Sequence, residues 1–113
     1  MALLFFWNSL YLNSLTRFIA QQEEIMFRLW GKIWKDNHLL HDTVVADDTA
    51  DTRTHKVFGA LHDICMEFDL SEPLWLDANI QDFKRHAKTR FTQDSFVEQI
   101  DFDYLEIHVI EED

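Results

Sequence analysis

The architecture of the chain follows from the stretch FRLWGKIWKDNHLLHDTV at residues 27–44. Its first half has the two-residue period of a β-strand. One face of that strand carries Phe27, Leu29 and Ile33. The opposite face carries Arg28, Trp30, Lys32 and Trp34. The first face is predicted to join the core. The second either lies under another element, which is the usual fate of large aromatic side chains, or forms a binding patch.

A tight turn is predicted directly after this strand. Asp36 and Asn37 both tolerate the positive φ angles of a two-residue hairpin loop, so the chain is expected to return as an antiparallel partner. The turn places Lys35 opposite His38. Counting back from that pair predicts the cross-strand pairs Ile33 with Leu40, Leu29 with Val44, Trp34 with Leu39, and Trp30 with Thr43.

A first helix is predicted after the hairpin. Its N-cap candidates are Asp47, Asp48, Asp51 and Thr52. Its apolar residues recur at three- and four-residue steps, at Val57, Phe58, Leu61, Ile64, Cys65 and Phe68. The helix should end between Asp69 and Ser71, because Pro73 lacks an amide donor and disfavours helical backbone at the residue before it. The next three residues, Leu74, Trp75 and Leu76, are expected to fill the core.

A second helix and a last strand complete the pattern. Asp77 is placed to cap a helix with the inward residues Ile80, Phe83, Ala87 and Phe91. A short third helix then starts at Thr92 or Asp94, with Phe96, Val97 and Ile100 inward. Near the end of the sequence, Leu105, Ile107 and Val109 alternate as in a half-buried strand. The predicted fold class is α+β in the order ββααβ, with a three-stranded sheet and helices on one face.

Residues 26–113 are predicted to form a single domain, whereas residues 1–25 are interpreted differently. The run Gln22-Glu-Glu-Ile-Met26 can be back-translated as a purine-rich ribosome-binding sequence before a start codon. We therefore expect an untranslated leader read in frame, with Met26 as the natural start. The alternative is an N-terminal amphipathic helix with the apolar stripe Leu10, Leu12, Leu15, Phe18 and Ile19.

Composition narrows the class of protein further. A chain of 113 residues that is 47% hydrophobic fits one domain with one core. Cys65 is the only cysteine, so an intramolecular disulfide and a cysteine-based zinc cage are excluded, and a cytoplasmic location is expected. The formal charge of -11 disfavours generic attraction to nucleic acid or to an anionic membrane.

Three short runs carry a resemblance to known proteins. They are Asp51-Thr-Arg-Thr-His-Lys56, Phe83-Lys-Arg-His86, and Phe102-Asp-Tyr-Leu-Glu-Ile107 with its continuation to Asp113. On these runs, residues 26–113 resemble a group of short bacterial proteins without an assigned activity. The resemblance implies a stand-alone bacterial cytosolic domain that starts near Met26, and it transfers no catalytic or binding residue.

No metal ion, cofactor or catalytic site is predicted. His62 and Cys65 lie three residues apart, but Cys65 belongs to the buried stripe and His62 lies largely outside it. The acidic residues before the first helix lack the pattern of a calcium loop, and helix capping accounts for them. Neither Ser71 nor Ser95 sits in a nucleophile motif, so we expect a protein that is not an enzyme.

One group of charges stands out in this acidic chain. We call Lys84, Arg85, Lys88 and Arg90 the basic cluster. The cluster holds four of the ten basic residues. A single helical turn with these side chains would contact phosphates or an acidic partner. The competing interpretation is a solvated helix face with cations near its C-terminus.

The favoured function is an interaction domain that binds a protein, or a second copy of itself, through Trp30 and Trp34, with the basic cluster at the rim. One alternative is nucleic-acid binding through the basic cluster. Another is an acidic inhibitor that imitates nucleic acid. Its acidic residues would be Asp94, Glu98, Asp101, Asp103 and residues 111–113.

Overall fold

The computed structural model of the protein describes residues 26–112. Residues 1–25, for which the sequence predicts a leader or an amphipathic helix, lie outside the described residues. The described elements in chain order are β1 Phe27–Lys35, β2 His38–Asp47, α1 Arg53–Glu67, α2 Asp77–His86, β3 Lys88–Phe91 and β4 Tyr104–Glu111. The sheet is antiparallel throughout, in the order β2-β1-β4-β3. The α+β class is confirmed, whereas the prediction of three strands misses β3.

The hairpin forms where it was predicted, but its register contains an irregularity. Asp36 and Asn37 have φ angles of 51° and 66°, and Lys35 pairs with His38. Beyond Trp34 and Leu39 the register shifts, because Leu40 is an extra residue that forms a bulge. The predicted pairs further from the turn are therefore wrong by one residue. Ile33 pairs with His41, Leu29 with Val45, and Trp30 with Val44.

Helix α1 begins at its predicted cap and packs closely on β1. The Thr52 hydroxyl accepts a hydrogen bond of 3.2 Å from the backbone N–H of His55. The inward residues Val57, Leu61, Ile64 and Cys65 are buried as predicted, whereas Phe58 is half exposed. A Cβ atom at Gly31 would lie 2.7 Å from Ile64 Cγ2, so the missing side chain lets the helix approach the strand.

The segment between the helices contributes one aromatic ring to the core. Trp75 packs edge-on against Phe83 and Phe91, with ring centroids 5.5 and 5.0 Å away. Leu74 and Leu76 are 56% and 40% exposed, so of the three residues expected to fill the core only Trp75 does so. The N-cap of α2 is Leu76 rather than Asp77, and its backbone N–H donates to the side chain of Asn79.

The largest correction concerns residues 86–100. Helix α2 ends at His86, because Ala87 adopts a left-handed conformation with φ 55°, and β3 follows at once. Phe91 is therefore buried from a strand and not from a helix. The predicted third helix is only the 3-10 turn Gln93–Ser95, which leaves Val97 88% exposed.

The two faces of the sheet differ. The core lies between the helices and one face, to which β1 contributes Phe27, Leu29 and Ile33, and β4 contributes Leu105, Ile107 and Val109. Cys65 is buried within this core. No described element packs over the other face, which we call the open face.

Candidate functional site

The centre of the open face is formed by three rows of side chains that run across the strands. The strand registers place the following residues side by side. The first row is Val44, Trp30, His108 and Lys88. The middle row is Asp42, Lys32, Glu106 and Arg90. The third row is Leu39, Trp34 and Tyr104. A charged row thus lies between two rows that contain aromatic rings.

The charges of the middle row alternate from strand to strand. Glu106 Oε1 lies 3.3 Å from Lys32 Nζ, and Glu106 Oε2 lies 3.6 Å from Arg90 Nε. Glu106 is only 4% exposed and Lys32 only 9%, so this pair is shielded from water. Burial by itself would raise the pKa of Glu106. The Lys32 charge, hydrogen bonds from Lys32 and Trp34, and the Arg90 charge outweigh burial and hold that pKa below its ordinary value.

The middle row also orients the aromatic rings. Trp30 Nε1 donates to Asp42 Oδ2 at 2.9 Å, and Trp34 Nε1 donates to Glu106 Oε1 at 3.1 Å. Lys32 Nζ lies 3.8 Å from the centre of the Trp30 ring. The Arg90 guanidinium lies 4.7 Å from the centre of the Tyr104 ring. Each ring is therefore fixed by at least one polar contact, and no indole N–H on this face lacks a partner.

The two sides of the open face have different chemistry. On the β2 side, Leu39 and Val44 are 43% and 44% exposed. On the β3 side, Lys88 and Arg90 are exposed. Between them, His108 is half-buried, and its pKa is lowered by burial and by the Lys88 and Lys32 charges. The imidazole is therefore neutral at neutral pH. The open face thus has an apolar rim on the β2 side and a cationic rim on the β3 side.

The structure divides the basic cluster that the sequence placed on one helical turn. Lys88 and Arg90 lie on β3, because the helix ends before them, and β4 separates them from Trp30 and Trp34 on the same face. Lys84 and Arg85 belong to the last turn of α2. Lys84 lines a groove of about 360 Å³ whose other lining residues are Arg53, Thr54, Val57, Phe58, Trp75, Ile80 and Phe83. Four of the six predicted binding residues thus meet on one surface.

Two residues of the open face, Tyr104 and Glu106, were missed by sequence reasoning. A signal for them existed, since both occupy the polar positions of the alternating pattern in β4. That pattern places them on the face opposite Leu105 and Ile107. What it does not reveal is that β4 lies directly beside β1, which brings Glu106 to Lys32 and Tyr104 to Trp34.

The other candidate residues have structural contacts. Within residues 26–112, no group of three or more His, Cys, Asp or Glu is placed to hold a metal ion. His62 Nδ1 lies 2.6 Å from Glu72 Oε2, and burial raises the pKa of the Cys65 thiol to about 12, with the Glu72 charge as a smaller cause. In the acidic C-terminal segment, Glu111 pairs with Arg28 at 2.6 Å and Glu112 with Arg53 at 2.8 Å.

Comparison with known proteins returns no relative. No family model, no curated protein and no solved structure matches this chain. None of the described helices has the length and apolar character needed to cross a membrane. The case for a function therefore depends on the open face itself.

Proposed function

We propose that this chain is a protein-interaction domain without enzymatic activity, and that it binds its partner through the open face. Trp30 and Trp34 are the anchors, Tyr104 extends the aromatic surface, and Lys88 and Arg90 form the polar rim. One observation carries the proposal: two tryptophans are held in fixed positions on a sheet face that no described element covers.

The composition of the open face supports binding to a protein. Tryptophan, tyrosine and arginine are the residue types that dominate the binding energy of protein interfaces. Interfaces of this kind combine an aromatic centre with a polar rim. Because Asp42 and Glu106 already hold the two indole rings, these side chains would lose little conformational entropy when a partner binds.

The charges of the open face favour a protein over a nucleic acid. Glu106 pairs with both Lys32 and Arg90, and Asp42 supplies the second negative charge of that row. Glu111 pairs with Arg28 at the end of the sheet. Nucleic-acid affinity depends on cations that are free to replace counterions on phosphates. Within the described part of the chain, Lys88 is the cation of this face for which no ion pair is found.

The test is affinity capture from the source cells with the tagged full-length chain, with and without nuclease. We expect a protein partner that survives nuclease and is lost in the double variant Trp30→Ser/Trp34→Ser. Phe58→Ser is the matched control, because Phe58 is a half-exposed aromatic residue on α1, away from the open face. Both variants must retain the circular dichroism and unfolding midpoint of the parent.

A second variant covers the case in which the double variant is unstable. Leu39→Asp changes an exposed residue at the rim and leaves the hydrogen bonds of the middle row intact. Loss of the partner in Leu39→Asp but not in Phe58→Ser supports the proposal. Retention of the partner by both Leu39→Asp and the double variant refutes it. Partners that disappear on nuclease treatment would instead favour nucleic-acid binding.

A further inference from the structure

The two edges of the sheet differ in how well they are protected. The edge strand β2 has ten residues, HLLHDTVVAD, and contains no lysine, arginine or proline. The other edge, β3, has four residues, of which two are cations. Natural proteins prevent edge strands from pairing with other chains by making them short or by placing lysine or proline in them, since unpaired backbone groups otherwise bind another strand. Along β2, no described strand occupies the outer side.

The bulge at Leu40 limits how another strand can pair with β2. It leaves the regular segment His41–Asp47, which is seven residues long and has Val44 at its midpoint. We propose that the occupant of this edge is a second copy of the chain, with the two β2 strands antiparallel about a twofold axis at Val44. The proposal uses backbone groups of the edge, so it does not depend on the function of the open face.

Self-pairing at Val44 brings together compatible residues. Val44 faces its own copy, Thr43 faces Val45, and both pairs are β-branched, as favoured in strands. At each end of the segment, His41 of one copy lies opposite Asp47 of the other, so the imidazole N–H can donate a hydrogen bond to the carboxylate. A register centred on Asp42 would instead place two carboxylates opposite each other, which destabilises a sheet. The register centred on Val44 avoids this repulsion and, because Val44 is the midpoint, pairs all seven residues of the regular segment.

The pairing has a defined geometry. Residues directly opposite each other in an antiparallel pair have their side chains on the same face of the sheet. The open faces of both copies would consequently lie on the same side and form one surface across eight strands, twice the four in one copy. The dimer would thereby present four tryptophans, two from each copy's Trp30 and Trp34.

Disulfide cross-linking in the full-length chain tests this register. Opposite Cα atoms in an antiparallel pair are about 4.5–5.5 Å apart, within the range that a disulfide bridges. Val44→Cys should therefore give a covalent dimer on mild oxidation. Ala46→Cys is the matched control, since it is exposed on the same strand and face but lies roughly 13 Å from its copy along the strand. The native Cys65 is buried with its pKa raised to about 12, so it adds no background.

Light scattering of the unmodified chain completes the test. We expect twice the chain mass, a fall to the monomer mass in Val44→Lys, and at least tenfold more cross-linked product for Val44→Cys than for Ala46→Cys. A monomer at the highest soluble concentration overturns the proposal, as does equal cross-linking of the two cysteine variants. The double variant Trp30→Ser/Trp34→Ser should remain dimeric, which separates this test from that of the open face.

Discussion

Glu106 is the residue that organises the open face. Its carboxylate contacts Lys32 and Trp34 on β1 and Arg90 on β3, although it is only 4% exposed. Removing one member of a buried charged pair leaves the other without compensation. The residue therefore combines a role in stability with a role in positioning Trp34 for a partner.

We expect Glu106→Gln to lower the free energy of unfolding at neutral pH by about 1.5–3 kcal/mol, the typical value of a hydrogen bond to a charged group. The folded-state pKa of Glu106 is lowered, so its contribution is present above the ordinary value of 4.5 and is lost as the pH falls through the folded pKa. Urea unfolding at neutral pH and in acid measures the difference between parent and variant. A difference that does not shrink in acid would contradict this linkage.

The matched control for this prediction is Glu111→Gln. Glu111 pairs with Arg28, but the two side chains are 50% and 43% exposed, so solvent screens the pair. An exposed pair contributes less than about 1 kcal/mol. The contrast between the two variants isolates the effect of burial.

The two glycines predict opposite effects of the same substitution. Gly31→Ala places a Cβ atom 2.7 Å from Ile64 Cγ2, which is fully buried, and overpacking of this kind costs about 1–3 kcal/mol. Gly59→Ala meets nothing within 4 Å on α1, and replacing a helical glycine gains about 0.5–1 kcal/mol. Denaturant midpoints of both variants check the signs. A neutral Gly31→Ala would show that α1 can shift away from β1.

At the scale of elements, the junction between α2 and β3 predicts a stabilising change. Ala87 has φ 55°, a conformation that costs a residue with a Cβ about 1–2 kcal/mol. Ala87→Gly should remove this strain, and because glycine also loses more entropy on folding, the net gain should be about 0.5–1 kcal/mol. Thermal unfolding measures the gain, with Ala60→Gly in α1 as a control that should destabilise. If Ala87→Gly destabilised the protein as Ala60→Gly does, the proposed backbone strain at Ala87 would be refuted.

The same junction shows why part of the fold was not predictable from the sequence. The periods of two and of three to four residues identified β1, β2, α1 and β4, because each is long enough to repeat its pattern. Alanine is the strongest helix former, and neither glycine nor proline follows α2. The cations from Lys84 to Arg90 fit a helix end anywhere in that range, so they do not show that the helix stops before β3. The four residues of β3 are too few to show a period.

The sequence predicted only those parts of the site that depend on residues close together in the chain. Trp30 and Trp34 share a face within one strand, so alternation alone placed them together. The hydrogen bond from Trp34 to Glu106 spans 72 residues of sequence, and no local pattern predicts such a contact. The bulge at Leu40 was missed for a related reason, since Leu39 and Leu40 are equally apolar and either could face Trp34.

For the whole molecule, the net charge of -11 predicts a response to salt. Repulsion between the excess carboxylates destabilises the compact state, and added NaCl screens it. A gain of about 1 kcal/mol would raise the unfolding midpoint by roughly 4–8 °C for a domain of this size. Calorimetry at low and high NaCl measures the shift, and the shift should vanish near the isoelectric point. A midpoint that falls with salt at neutral pH would mean that the ion pairs outweigh the repulsion.

The position of β4 beside β1 has a consequence for how the protein is made. Strand β1 pairs on one side with β2, its immediate neighbour in sequence, but on the other side with β4, as in the contact of Arg28 with Glu111 across 83 residues. During synthesis the hairpin can form early, whereas the centre of the sheet cannot close until Tyr104–Glu111 has left the ribosome. Until then, the edge of β1 that later pairs with β4 has no partner, and unpaired strand edges of this kind make incompletely folded chains prone to aggregate.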